Sequence, residues 1–390
     1  MFGKTSDNRT FHALCVMYFL LWTEWGVSTG MLPIYLHELG GSPVEVGLIY
    51  GVFAGISVFS MTFWGVVSDY FGRRKIFIVF GMAAITPIFL SMSLQKEILH
   101  LILLRGSTAI FKGAVVPTAW ALVSDISTSE NVGSNMGILG STELAGFAFG
   151  PFIGGILADV FGFPSLWLFV ATECIVGALI FLILGSDPSS KKRGSRKIVP
   201  EVFGKKELVS KISVLYVSFP IFLLGFTLLG PNLNVYLSDG LGFSRTMVGL
   251  LSFVGMGVAA LTQPIVGSYS DRHGRRPFLI LGALSLFMGN IVLFFARDLP
   301  LIGMAQILIG NYSIFQYVGS AYISDIVPQT DRSATLGLFS SIGAVSRSLG
   351  PIIGGYTIIV MGIPSLILLS SVFPALSIAI VFFLIKKSKK

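Results

Sequence analysis

The sequence predicts an all-α membrane protein: twelve transmembrane helices in two pseudo-symmetric six-helix bundles. Three observations lead there. Only 12% of the 390 residues are charged and mean hydropathy is +0.83, whereas soluble domains carry roughly 25% charged residues. Apolar stretches of about 20 residues, the length that crosses a bilayer, recur along the whole chain. Short motifs of the first half return about 200 residues later at matching places.

Taken in order, the apolar stretches predict spans near 11–37, 43–67, 75–95, 98–123, 134–158, 163–185, 211–237, 244–268, 277–296, 299–324, 334–358 and 363–385. The first run, Phe11 to Leu36, is too long for the apolar core of a signal peptide and lacks a convincing cleavage site, so it reads as a span. The 45 glycines fit helices that must approach closely in lipid, where packing relies on small residues. Cys15 and Cys174 lie in apolar runs and offer neither a disulfide framework nor metal spacing; they read as small buried hydrophobes.

The net charge of +8 follows from topology. Outer loops hold Lys96, Arg245 and Arg297, and the spans hold Arg105, Lys112 and Arg347; the rest of the 27 Lys and Arg lie on the side of the N-terminus. Positive charge collects on the cytoplasmic side, so both termini are expected there, and a nucleic-acid partner is an unnecessary explanation. The polar stretch containing SSKKRGSRK divides the chain into an N-terminal bundle, 1–186, a cytoplasmic linker, 187–210, and a C-terminal bundle, 211–390.

The halves repeat each other. Gly65 to Arg74 (GVVSDYFGRR) returns as Gly267 to Arg276 (GSYSDRHGRR), Ser124-Asp125-Ile126 as Ser324-Asp325-Ile326, and Gly150-Pro151 with Gly154-Gly155 as Gly350-Pro351 with Gly354-Gly355. Gly162-Phe-Pro164 returns as Gly362-Ile-Pro364. Six spans per half make the repeats parallel, an architecture suited to rocking of two bundles about a midplane site. On these motifs the whole chain resembles the major facilitator superfamily, and in particular its twelve-helix drug:proton antiporters.

The loops after the second and eighth spans, with Gly65, Asp69, Gly72, Arg73 and Arg74, and Gly267, Asp271, Arg272, Gly274, Arg275 and Arg276, are similar to the cytoplasmic loop motif of that family. Glycine permits a tight turn and close backbone approach, and the Asp can accept charge-assisted hydrogen bonds. The resemblance implies a gating latch at Gly65, Asp69, Gly72 and Arg73. Tyr70 stands where the family usually has a basic residue. On the fifth span, Gly137, Gly146, Gly150, Pro151, Gly154 and Gly155 fill every position of the family's antiporter motif, which implies export; Ser346 interrupts the second-half copy.

Ionisable groups inside spans are costly and usually functional. Here they are Glu24, Glu143 and Glu173, with Arg105, Lys112 and Arg347. The resemblance implies that the first, fourth, seventh and tenth spans line the cavity. Glu24 lies about 20 Å from the inner end of the first, at 1.5 Å per residue. Arg105 and Lys112 share one face of the fourth. Glu24 is therefore the expected proton carrier, with Glu143 in reserve; Glu173 is at a scaffold position. Asn232, Asn234, Asn311 and Gln316 are the remaining cavity candidates, or else interhelical glue.

The expectation is a transporter, not an enzyme, exporting a small organic molecule or drug in exchange for protons by alternating access. It needs no cofactor or metal, and no phosphate-binding G-x-x-x-x-G-K-[ST] loop is present. It would sit in the cell membrane as a monomer, with substrate, protons and lipid as partners. A proton symporter or facilitator importing a sugar or organic anion, with Arg105 and Lys112 as anion anchors, stays open.

Overall fold

The computed structural model describes residues 5–128, 130–187 and 206–384. Most of the predicted linker, 188–205, and the basic C-terminal tail lie outside the described residues. The chain forms α1 (Thr5–Glu38), α2 (Pro43–Phe71), α3 (Arg74–Leu94), α4 (Ile98–Ile126), α5 (Val132–Leu184), α6 (Lys206–Thr227), α7 (Gly230–Val235), a π-helical turn at Tyr236–Gly240, α8 (Arg245–His273), α9 (Arg275–Phe295), α10 (Leu299–Gly310), α11 (Ser313–Ile326) and α12 (Gln329–Leu384). Among the described residues, nine helical stretches are long and apolar enough to cross a membrane. Large apolar side chains such as Phe59, Phe63, Leu94, Ile183 and Phe383 stand exposed on the surface. In water that surface would be an aggregation liability; in a bilayer it meets lipid.

Local sequence sets the joints. Ser42 and Glu45 form a reciprocal capping box at the start of α2: Ser42 N donates to Glu45 Oε2 at 2.8 Å and Glu45 N to Ser42 Oγ at 3.3 Å. Asp298 accepts from Leu301 N at 2.9 Å and so caps α10. The repeated Gly-x-Pro motif has one conformation in both halves. Gly162 (φ 77°, ψ 169°) interrupts α5 and Gly362 (φ 77°, ψ 168°) interrupts α12. Only glycine takes that backbone cheaply. The break falls where the sequence predicts a boundary between two spans.

Two predicted spans are not continuous. The seventh is divided among α6, α7 and the π turn, because Pro231 at the start of α7 supplies no backbone N–H. The tenth breaks into α10 and α11 at Asn311 and Tyr312. There the Asn311 side-chain amide donates to Ile307 O at 3.0 Å, a local bond that competes with the helical ladder.

The chain divides into two compact units, one from the described parts of 1–41, 52–194 and 237–253, the other from those of 42–51, 195–236 and 254–390. In the first, α1 packs mainly on α5, and α3 packs on α4 and α5. Leu14, Met17, Tyr18, Leu21, Glu24, Ser28 and Met31 repeat at three- and four-residue intervals and are all buried, so one stripe of α1 faces the interior. In the second unit, α12 packs on α6 and α9, and α9 on α10 and α11. Leu279, Ala283, Leu286, Asn290 and Leu293 form the corresponding buried stripe of α9.

Candidate transport site

Glu24 lies on the buried stripe of α1 with no exposed surface. Arg105 Nη1 donates to its Oε1 at 3.0 Å, and Ser28 Oγ, one turn on, donates to the same oxygen at 3.0 Å. Lys112 Nζ pairs with Oε2. Arg105 and Lys112 are two turns apart on α4 and reach α1 from one face. The Arg105 guanidinium sits 4.3 Å from the Phe53 ring centroid and Lys112 Nζ 4.7 Å from that of Trp25, contacts worth up to about 2 kcal/mol when desolvated. Trp25 stacks on Trp22 at 4.4 Å. Burying ions costs several kcal/mol each and is recovered only with full pairing. With all three groups ionised, one carboxylate serves two cations, and Arg105 Nη2 lacks a hydrogen-bond partner among the described residues.

Glu143, on α5, belongs to a separate chain of bonds. Trp120 Nε1 donates to Tyr18 Oη at 2.9 Å, and Tyr18 Oη donates to Glu143 Oε2 at 3.2 Å. Glu173 is 8% exposed, and its Oε2 has no partner among the described residues.

In the second unit the structure brings Arg347 and Gln316 together: Arg347 Nη2 donates to Gln316 Oε1 at 3.1 Å. Asn311 Oδ1 accepts from Thr262 Oγ1 of α8 at 2.7 Å, a bond between helices. Asn232 and Asn234 are on the short α7; Asn232 is buried and its amide nitrogen lacks a partner among the described residues.

The two loop motifs each close an ionic cluster inside their own unit. In the first, Arg74 is 6% exposed. It pairs with Asp69 Oδ1 at 2.6 Å and Asp125 Oδ2 at 3.1 Å, and donates to Ser68 Oγ at 2.8 Å. In the second, Arg275 pairs with Asp271, with Asp325 Oδ2 at 2.8 Å, and donates to Ser270 Oγ at 2.7 Å. Arg73, expected in the latch, is exposed and lies outside this cluster. Aligned by sequence, Arg74 matches Arg276; in space its counterpart is Arg275. The link after α2 is two residues, Gly72 and Arg73, and that after α8 one, Gly274, so the arginine that opens the next helix differs by one position. Arg276 instead donates to Phe382 O. Gly72 (φ 63°) and Gly274 (φ 88°) make the turns. Among the described residues nothing lies within 4 Å of where a Cβ on Gly65 or Gly267 would stand, apart from their own helix.

The glycines of the fifth predicted span are a contact surface. A Cβ on Gly150 would lie 2.6 Å from Val27 N and 2.7 Å from Gly26 Cα, and one on Gly146 3.0 Å from Thr23 N. Gly154 faces Val27 and Met31 at 3.0 Å or more, and Pro151 packs on Gly26 and Gly30. These positions seat α5 on α1, while Gly155 meets the backbone of Arg245 at the start of α8. Gly137 is the exception: among the described residues nothing lies within 4 Å of where its Cβ would stand, apart from its own stretch of helix. In the second unit Gly350 and Gly354 meet Thr227 and Leu228. Ser346, in the place of Gly146, is accommodated because its Oγ donates to Pro220 O at 2.8 Å and its carbonyl accepts from Thr227 Oγ1 at 2.9 Å.

A sequence profile described as Major Facilitator Superfamily matches residues 14–225 and again 215–390. The chain belongs to this superfamily. It is a multi-pass membrane transporter, not an enzyme. It is 26% identical over 360 residues to an uncharacterized MFS-type transporter of Methanocaldococcus jannaschii, covering 89% of this chain and 91% of that one. It is 27% identical over 266 residues, 64% of each chain, to the multi-drug resistance efflux pump PmrA of Streptococcus pneumoniae. A bacterial homolog of the human lysosomal transporter Spinster shares its fold, with a TM-score of 0.82 at 17% identity and 97% of each chain covered.

Within this superfamily chain, the contacts separate residues that look interchangeable in sequence. Arg74→Gln is expected to lower thermal stability by about 1–3 kcal/mol, the scale of a lost charge-assisted bond, and to slow turnover. Arg73→Gln is expected to leave both near wild type. Unfolding curves of the two purified variants decide between them; equal effects would remove Arg74 from its special place. The Ser-Asp-Ile repeat was the signal for Asp125 and Asp325. Nothing in the sequence singled out Phe53 among 33 phenylalanines, nor Glu38 and Asp159 as partners of Arg245, whose Nη2 lies 2.7 Å from Glu38 Oε1.

Proposed function

We propose that the chain is a twelve-span exporter of the cell membrane that moves a small organic molecule outward in exchange for protons. Both termini are cytoplasmic in this reading and the helices form two six-helix bundles. The observation that carries the coupling is the Glu24 centre. Protonating Glu24 leaves Arg105 and Lys112 as two buried like charges without their shared counter-ion. Proton uptake is thereby tied to a rearrangement of α1 against α4 or to movement of charge out of the site. Ionisable residues at this depth are rare and usually serve function besides pairing with one another. Relatives add support: PmrA, similar over 64% of this chain, is an efflux pump, and the glycine face of α5 matches the antiporter motif of such exporters.

The test uses proteoliposomes and a panel of organic cations, zwitterions and anions. An imposed pH gradient is expected to drive accumulation of at least one compound against its concentration gradient, protonophore to abolish it, and sodium replacement to leave it unchanged. Movement only down the compound's own gradient, or a requirement for sodium, would overturn the proposal.

A further inference from the structure

Three basic side chains lie within the spans, and the structure gives them different surroundings. Arg105 and Lys112 are both engaged by Glu24. Arg347 is not matched in this way. It is partly buried in α12, roughly 18 Å along the helix from Thr335 and so near the middle of a core about 30 Å thick. Among the described residues its one hydrogen bond goes to the neutral Gln316 side chain, and no carboxylate lies within ion-pair distance.

No carboxylate of this half of the chain is placed to serve it. From 212 to 384 the acidic residues are Asp239, Asp271, Asp298, Asp325 and Asp331. Asp239 pairs with His37, Asp271 and Asp325 pair with Arg275, Asp298 caps α10, and Asp331 lies in the first turn of α12. A guanidinium held in the bilayer core without a counter-ion is costly, and a fold keeps one where something else supplies the negative charge. The residue that engages Arg347 borders an aromatic pair: Tyr312 stands four residues before Gln316, about one helical turn away, and its ring stacks on Phe226 at 3.7 Å and 13°. Tyr312 is presented by the break between α10 and α11, and irregular backbone at membrane depth is where transporters place their sites.

We infer that Arg347, with Gln316 beside it and the Phe226–Tyr312 pair as a flat apolar wall, is the binding site for the carboxylate of an aromatic organic anion. The inference rests on the reading of the chain as a transporter of small organic molecules and names the class. It places the anion anchor on α12 rather than on Arg105 and Lys112. The guanidinium fork fits a carboxylate with two parallel hydrogen bonds. The Gln316 amide, whose oxygen already accepts from Arg347, has its N–H donors left for the same group.

The experiment measures binding to the full chain in phosphatidylcholine nanodiscs, with no gradient, so it succeeds or fails independently of export and proton coupling. The probes are phenyl-, naphthyl-, indolyl- and biphenyl-acetates, each beside its uncharged amide and the corresponding ethylamine. At least one acetate is expected to bind about tenfold or more tighter than its amide and amine. Arg347→Gln is expected to erase that preference while leaving amide binding within about threefold, and Arg347→Lys to restore part of it, since charge returns without the fork. Without ligand, Arg347→Gln is expected to unfold at or above the wild-type temperature, because it removes a charge with no counter-ion. Amines binding as well as acetates, no acetate binding, a preference that survives Arg347→Gln, or a clear loss of unliganded stability in that variant would each overturn the inference.

Discussion

Glu24→Gln is expected to abolish proton-driven accumulation while leaving downhill exchange of substrate measurable. The physical cause is a count of charges. The substitution keeps the shape of the side chain and the hydrogen bond from Ser28, but it removes the one anion that Arg105 and Lys112 share. Breaking a buried pair by deleting one partner typically costs about 3–5 kcal/mol, because the other charge is left uncompensated. Unfolding of the purified variant should therefore begin well below the wild-type temperature. The double variant Glu24→Gln with Lys112→Met should recover much of that loss, since Arg105 then remains alone over the Phe53 ring and the like-charge repulsion is gone. Stability recovered with uphill transport still absent would place Glu24 in coupling as well as in folding. Uphill transport by Glu24→Gln with an unchanged pH profile would make the residue purely structural and move the proton elsewhere, with Glu143, which accepts from Tyr18 Oη, the next to substitute.

How far the sequence reaches is set by which interactions are local. The Gly-x-Pro breaks at Gly162 and Gly362 were legible because a backbone conformation open to glycine needs no information from elsewhere in the chain. The meeting of Glu24 with Arg105 and Lys112 was legible for a different reason: their spacing puts the carboxylate and both cations at matching depth, and buried opposite charges lower their cost by pairing. The ionic clusters under the loops were only half legible. The repeat marked Asp69 and Asp271, and even Asp125 and Asp325, but which arginine reaches them depends on whether one or two residues link the helices, and alignment alone assigns the wrong one. The breaks in α6–α7 and α10–α11 were missed because mean hydropathy stays high through them; the local bonds of Asn311 and the missing N–H of Pro231 outweigh it. The partners of Arg245 were invisible, being 86 and 207 residues distant in sequence.

Gly150→Ala is expected to be strongly damaging, and Gly137→Ala to be harmless, although both glycines belong to one sequence motif. At Gly150 the added carbon meets the backbone of Thr23, Gly26 and Val27, with Val27 N at 2.6 Å and Gly26 Cα at 2.7 Å. These are main-chain atoms in the middle of α1, so no side chain can turn aside. Either the two helices separate or the backbone distorts, and overpacking of this kind costs about 1–3 kcal/mol or more. Separation would also loosen the contacts of Gly146 and Gly154 on the same seam and disturb the placement of Glu24, which directly follows Thr23, one of the α1 residues in the seam. At Gly137 the added carbon would meet nothing within 4 Å among the described residues beyond its own stretch of helix, and alanine gains up to about 1 kcal/mol of helix propensity. Detergent-solubilised protein run on size exclusion, followed by thermal unfolding, should show Gly137→Ala at or above wild type and Gly150→Ala aggregated or melting far lower. If Gly150→Ala is instead monodisperse, as stable as wild type and fully active, the α1–α5 seam is not the close-packed surface described, and the motif's glycines must be retained for a reason other than contact.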